Sequence, residues 1–209
     1  MNYKYATIDI ETTGLERYKD EITWIGIGLA KDLDSDLDKT YIYEAADPKS
    51  MEKFHKRCEW LRKNKISCIW QNGKFDTLFI EHHEGIKLPI SEDVMLMATA
   101  YDLSAEHGLK KMAKTYLGVP DWDIKKKDKT SRNRDTVVPY LKCDVKYTWQ
   151  LFQFFSYNMT AQQRKLYTKL LRPAYRYTFP LKPNSVFQNY DNLSQDNILI
   201  GNNRMSREN

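Results

Sequence analysis

Apolar and polar residues alternate strictly at the start of the chain. Ala6, Ile8 and Ile10 fall on one face, and Tyr5, Thr7 and Asp9 on the other, which is the period of a β-strand over residues 4–10. "TWIGIGLA" (23–30) and "KTYIYE" (39–44) predict two more strands. The charged "KDLDSDLDK" between them reads as an exposed hairpin loop. Over 49–64 the period lengthens, because Met51, Phe54, Cys58 and Leu61 recur at helical spacing. "SCIWQ" (67–71) predicts a short buried strand, and helices are expected near 74–84, 94–101 and 108–117. Residues 118–135 carry many charges and no periodicity, so they predict a long loop. A long helix over roughly 139–157 follows. The T-x-x-Q spacing of Thr160 and Gln163 predicts a capping box opening another, which Pro173 should end or kink.

Three strands, a helix, a strand and further helices predict an α/β sandwich with a mixed sheet. The chain has 209 residues, 41% hydrophobic and 13% aromatic, which excludes a disordered composition. The expected division is a core over 1–157, a helical extension over 158–179 and a polar tail over 180–209, where asparagine and serine replace any core pattern. Cys58, Cys68 and Cys143 are odd in number and form no C-x-x-C pair, so neither a disulfide framework nor a zinc ribbon is indicated. "MNYKYATIDIE" has no apolar leader segment and no apolar run approaches a membrane span, so a soluble, cytoplasmic protein with no membrane partner is expected. The net charge of +5 permits a polyanionic partner without demanding one.

The candidate chemistry lies in carboxylates. Asp9 and Glu11 are two apart on the first strand and project from the same face. Two such acids repel unless a cation sits between them, and Mg²⁺ or Mn²⁺ takes oxygen ligands of this kind. Asp76 stands at the strand-to-helix turn of "SCIWQNGKFDTLFI", a placement that also suits a first-turn acid favoured by the helix dipole. Tyr140 and Asp144, four apart, share a face of the long helix. Each motif alone has a bland reading: a solvated strand end, a helix-start acid, a half-buried tyrosine beside a surface acid.

Taken in order, "DIETTGL" (9–15), "WQNGKFD" (70–76) and "YLKCD" (140–144) resemble the DEDD superfamily of 3′–5′ exonucleases. Pro139 stands where the histidine subtype would carry its histidine, which favours the tyrosine subtype. "EDVMLMATAYDLSAEHGLKKMAKTYLGV" (92–119) is similar to the corresponding stretch of the proofreading domains of A-family DNA polymerases, and the resemblance covers roughly residues 4–157. Ile10 departs from it, standing where the polymerase branch often has threonine.

The resemblance implies a ribonuclease H-like fold, a five-stranded mixed sheet with helices on both faces. It also implies metal-dependent hydrolysis of terminal phosphodiesters to nucleoside 5′-monophosphates, with two Mg²⁺ or Mn²⁺ ions clamping the attacking and leaving oxygens. On that pattern Asp9 bridges both ions, Glu11 and Asp144 hold the ion on the water side, and Asp76 serves the second. Tyr140 orients the water, since a phenol of ordinary pKa, about 10, is a poor base at neutral pH. Thr12 corresponds to a backbone contact with the terminal 3′-hydroxyl and Leu15 to an apolar wedge beside the terminal base. Asn72 and Phe75 are candidate pocket residues, Phe75 equally a candidate for core packing. Lys125, Lys126, Lys127 and Arg132 in the charged loop are candidates to track a single-stranded backbone, with Trp122 available to stack on a base. The expected partner is single-stranded DNA or a frayed 3′ end. The chain would act as a stand-alone enzyme or as the proofreading part of a split or truncated polymerase, in a phage or bacterial-type setting, together with a separate polymerase chain. The competing readings are an exoribonuclease of the ribonuclease D branch and a catalytically silent binding module.

Overall fold

The structure, a computed structural model, describes residues 2–104, 106–122 and 133–177. Met1–Arg172 forms one compact unit and Pro173–Asn209 a second, of which residues 173–177 are described and are helical. The expected polar tail over 180–209 lies outside the described residues.

The sheet has five strands: β1 (Tyr5–Thr12), β2 (Ile22–Ala30), β3 (Lys39–Glu44), β4 (Ser67–Trp70) and β5 (Glu92–Asp93). Their order is β3-β2-β1-β4-β5. The first three pair antiparallel through short connections, whereas β4 joins β1, and β5 joins β4, in parallel. The parallel pairings require crossovers. These are supplied by α1 (Pro48–Lys63) before β4 and α2 (Gly73–Glu84) before β5. There follow α3 (Val94–Tyr101), α4 (Leu109–Leu117), α5 (Arg134–Asn158) and α6 (Ala161–Leu166), then a π-helical turn over Tyr167–Leu171 and α7 (Arg172–Tyr177). None of the described helices is long and apolar enough to cross a membrane.

Strand alternation sorts the core onto two faces. Ile8, Ile10, Ile25 and Ile27 pack with Phe54 and Leu61 of α1 and Phe79 of α2. On the other face Trp24 meets Val137, Leu141 and Val145 of α5. Farther along α5, Trp149, Phe152 and Phe155 pack with Met97 of α3 and Met112 of α4. Between these contacts β2 carries two glycines. A Cβ on Gly26 would lie 2.8 Å from Val145 Cγ2, and one on Gly28 2.7 Å from Val145 Cγ1, so α5 rests on backbone there.

Three boundaries differ from expectation. β1 runs on to Thr12, which places Glu11 inside the strand with its edge shared by β2. α5 begins at Arg134 rather than near 139, capped by Asn133, whose side chain accepts from Asp135 N–H at 3.0 Å. Pro139 therefore lies within the helix. It removes one backbone bond, a loss that a 25-residue helix with a long buried stripe absorbs. The third concerns Pro173. The Thr160–Gln163 capping box forms, with reciprocal bonds of 3.2 and 2.8 Å. The helix it opens does not stop at Pro173; it loosens one turn earlier into the π turn and resumes as α7, where Pro173 sits in the first turn and its missing N–H costs little.

That C-terminal stretch is fastened to the sheet edge. The buried Tyr167 donates its hydroxyl to Glu92 Oε2 at 2.7 Å and accepts from Asp93 N–H at 3.0 Å. Arg172 donates to Glu92 Oε1 at 2.6 Å and to the Ser91 carbonyl at 3.1 Å.

Candidate active site

Asp9 and Glu11 alternate along β1 and face α5. Asp144, one residue before the Val145 that packs on Gly26, descends onto them from α5. One carboxylate oxygen from each of Asp9, Glu11 and Asp144 lies within 4.8 Å of the others. Asp76 comes from the first turn of α2 and is buried; its Oδ1 accepts from Ile10 N–H at 3.2 Å. All four acids, Tyr140, Asn72, Phe75 and Lys110 line one cavity of about 260 Å³. The structure thus brings the three sequence motifs to one place.

Crowding of acids shows in their proton affinities. Burial pushes the Asp9 carboxyl well above the usual range, Asp144 beside it adds to the rise, and Lys110 opposes it. Asp76 is raised in the same way, first by burial and then by Asp9, against the backbone amides that hydrogen-bond it. Asp144 is raised by burial, with Lys110, Trp122 and Tyr140 pulling it back. An anionic, all-oxygen cluster of this kind fits a hard divalent cation.

The turn that delivers Asp76 is tightly specified. Asn72 adopts the left-handed conformation, φ 56° and ψ 42°. Gly73 follows, where any Cβ would collide with the Trp70 side chain. Beneath the turn lies the fully buried Asp93. Its carboxylate accepts from Gly73 N–H at 2.8 Å and Asn72 N–H at 3.4 Å, and caps α3 through Met95 N–H at 3.0 Å and Leu96 N–H at 3.4 Å. One carboxylate therefore fixes the starts of two helices. Burial pushes its pKa up to about 6 despite those four donors.

The remaining candidates are placed as follows. Thr12 Oγ1 donates to the Gly14 carbonyl at 2.6 Å. The loop it enters is stapled by Asp20, which accepts from Glu16 N–H at 2.8 Å and packs where a Gly14 Cβ would have to stand. Leu15 projects from that loop, 83% exposed. Phe75 lines the cavity and packs on Phe79, ring centroids 4.7 Å apart. Trp122 donates its indole N–H to Asp144 Oδ1 at 2.6 Å, and its ring lies 4.3 Å from Tyr147. Lys125, Lys126, Lys127 and Arg132 lie outside the described residues.

Two residues were not anticipated. Lys110 Nζ donates to Tyr140 Oη at 2.6 Å and to Asp144 Oδ1 and Oδ2 at 2.7 and 2.8 Å. The available signal was rotational: Lys110 flanks the buried Leu109–Met112–Ala113 stripe, while Lys111 is turned about 100° farther away. Asp93 was not singled out in the sequence, and its hold on the Asn72–Gly73 turn depends on a contact that spacing along the chain does not encode.

A family model described as 3′-5′ exonuclease, of the DNA polymerase A type, matches residues 1–159. No curated protein matches the chain. Among solved structures, NrnC of Brucella melitensis superposes with a TM-score of 0.62 at 19% identity, covering 83% of this chain and 81% of that one. The same protein is known with bound Mg²⁺ and bound to pGG. RNase D of Trypanosoma brucei gives a TM-score of 0.63 at 13% identity, covering 88% of this chain and 70% of its own. At such identities the likeness is one of fold: the ribonuclease H-like, five-stranded mixed sheet with helices.

Proposed function

This chain belongs to the 3′–5′ exonuclease family of DEDD type, and from that premise we propose that it removes terminal nucleotides from the 3′ end of single-stranded DNA. Water attacks the terminal phosphorus, the bond from that phosphorus to the 3′ oxygen of the penultimate nucleotide breaks, and a nucleoside 5′-monophosphate leaves. The penultimate nucleotide keeps a free 3′-hydroxyl. The observation that carries this reading is the convergence of Asp9, Glu11 and Asp144 oxygens within 4.8 Å, in a cavity shared with Asp76 and Tyr140.

The donor set suits Mg²⁺ or Mn²⁺: Asp9 would serve both ions of a pair, Glu11 and Asp144 would hold the one on the water side and Asp76 the other. Such ions supply Lewis acidity at the phosphoryl oxygens and acidify the attacking water. The chain's own groups do the rest. Tyr140 positions the water through its hydroxyl. Thr12 meets the terminal 3′-hydroxyl through its backbone, and the exposed Leu15 wedges beside the terminal base. Asn72 and Phe75 border the nucleotide from the start of α2.

DNA is preferred as substrate because the matched family is that of the A-type polymerases. RNA is the second reading, favoured by the fold likeness to RNase D and to an NrnC bound to pGG. A separate polymerase chain is the proposed partner for a proofreading role, to be sought by pull-down and by faster removal of mismatched ends in its presence. The deciding experiment uses a 5′-labelled single-stranded DNA and its RNA counterpart, with Mg²⁺, with Mn²⁺ and with a chelator. A metal-dependent ladder shrinking from the 3′ end of DNA is expected. A ladder on RNA alone would reverse the substrate assignment, and intact ends on both would sink the enzyme reading.

A further inference from the structure

Lys110 is the second residue of α4, and its side chain runs inward rather than to solvent, 21% exposed. Nζ lies 4.2 Å from the centroid of the Tyr140 ring. It then meets three oxygens at 2.6 to 2.8 Å, the Tyr140 hydroxyl and both oxygens of Asp144. An ammonium has three protons, and these three acceptors use them all. Asp144 Oδ1 accepts a further bond from Trp122. Asp144 is also one of the three acids whose oxygens converge. An ammonium at 2.7 Å from this carboxylate and a divalent ion on the same oxygens compete, for lone pairs and through like charge. The neighbouring Lys111 makes the contrast. It pairs with Glu106 at the surface, the two side chains 63% and 58% exposed, and reaches nothing in the cavity.

We propose that Lys110 is a built-in counter-ion of the metal-free enzyme, which holds Asp144 and Tyr140 in place and exchanges with the divalent cation when the site loads. The inference rests on the metal centre of the proposed exonuclease and adds a residue outside its acid-and-tyrosine set. Without such a cation, Asp144 would stand buried beside Asp9 and Glu11 with only its Trp122 and Tyr140 hydrogen bonds to offset the repulsion. With it, the carboxylate is already oriented, and the four-methylene stem lets the ammonium withdraw without movement of α4.

The test measures Mn²⁺ binding by calorimetry and by electron paramagnetic resonance, and thermal stability with chelator and with Mn²⁺. Lys110→Met should melt below wild type in chelator, because Asp144 loses its partner. The same variant should bind Mn²⁺ roughly tenfold more tightly, since no resident cation has to be displaced. Its melting temperature should therefore rise more on Mn²⁺ addition than that of wild type. A merely structural ion pair would give the first effect without the second. Lys110→Arg keeps the charge and should bind Mn²⁺ no more tightly than wild type. Lys110→Gln should behave as the methionine variant does and replaces it if that one does not fold. Lys111→Met removes one positive charge elsewhere on α4 and should leave Mn²⁺ affinity unchanged. Equal or weaker Mn²⁺ binding by Lys110→Met and Lys110→Gln would overturn the inference, as would an equal gain in Lys111→Met. Failure of every protein, wild type included, to bind Mn²⁺ would overturn the metal centre itself, and the inference with it.

Discussion

Asp9 lies directly across the sheet from Gly26. The pairing explains how an acid on a strand reaches an acid on a helix. With no side chain at Gly26, Val145 and Leu141 settle on the backbone of β2, where a Cβ would be 2.8 Å from Val145 Cγ2 and 3.0 Å from Leu141 Cγ. Asp144 is thereby carried to Asp9. Gly26→Ala should lift α5, destabilising the protein by about 1–3 kcal/mol and lowering turnover by separating the two carboxylates. Thermal melts and a single-turnover digestion would read both effects; wild-type values in each would show that the close approach is dispensable.

Asp9→Ala should reduce hydrolysis by roughly a thousandfold or more. It should not unfold the protein. The carboxyl sits in a place where burial and Asp144 both disfavour its charge, so its removal relieves repulsion when no metal is bound. The expected pattern is a melting temperature in chelator equal to or above wild type, with the stabilisation by Mn²⁺ lost. Retention of near-full activity would remove Asp9 from the catalytic set.

Tyr140→Phe keeps the ring that lies 4.2 Å from the Lys110 ammonium and deletes the hydroxyl that Lys110 bonds at 2.6 Å. Turnover should fall by about ten- to a hundredfold and remain measurable, because the acids are untouched and only the placement of water suffers. A rate identical to wild type under single-turnover conditions would exclude Tyr140 from the reaction.

Asp93 gives a pH dependence of unusual sign. Its folded-state pKa is about 6, above the value of about 4 for an exposed aspartate, so the folded chain holds this proton more tightly than the unfolded one. The stability from this group is therefore fully present below about pH 4 and falls by about 2–3 kcal/mol as pH rises to about 6 and beyond. Asp93→Asn does not titrate, and its amide turns donors toward N–H groups, so it should be less stable than wild type throughout. The gap between the two should be widest at about pH 4 and below and narrow toward pH 7 in urea denaturation. A gap that stays constant or widens over that range would contradict the assignment.

Much of this architecture is legible along the chain because it is local. Alternation marks β1, and the spacing of Met51, Phe54, Cys58 and Leu61 marks α1. The Thr160–Gln163 box appears where its spacing places it. The three acidic motifs could be recognised because each is short and their order along the chain is distinctive. What escaped depends on contacts between distant segments. Lys110 is one of two adjacent lysines, and only the docking of α4 against α5 decides which of them turns inward. Trp122 reads as a loop aromatic until Asp144 and Tyr147 are seen to engage it. Pro139 suggests a helix start by local rule, yet the buried stripe of α5 begins before it, with Val137.

The bonds of Tyr167 to Glu92 and Asp93 bear on where this protein can be shortened. The stretch that defines the family by sequence closes at residue 159, eight positions before a phenol that seals the last strand and satisfies the amide of Asp93. Asp93 in turn holds the turn that aims Asp76. A fragment trimmed to the family boundary would leave that amide and the Glu92 carboxylate without these partners, and the turn that aims Asp76 would fray. Inheritance and cooperative folding thus draw different borders on one chain.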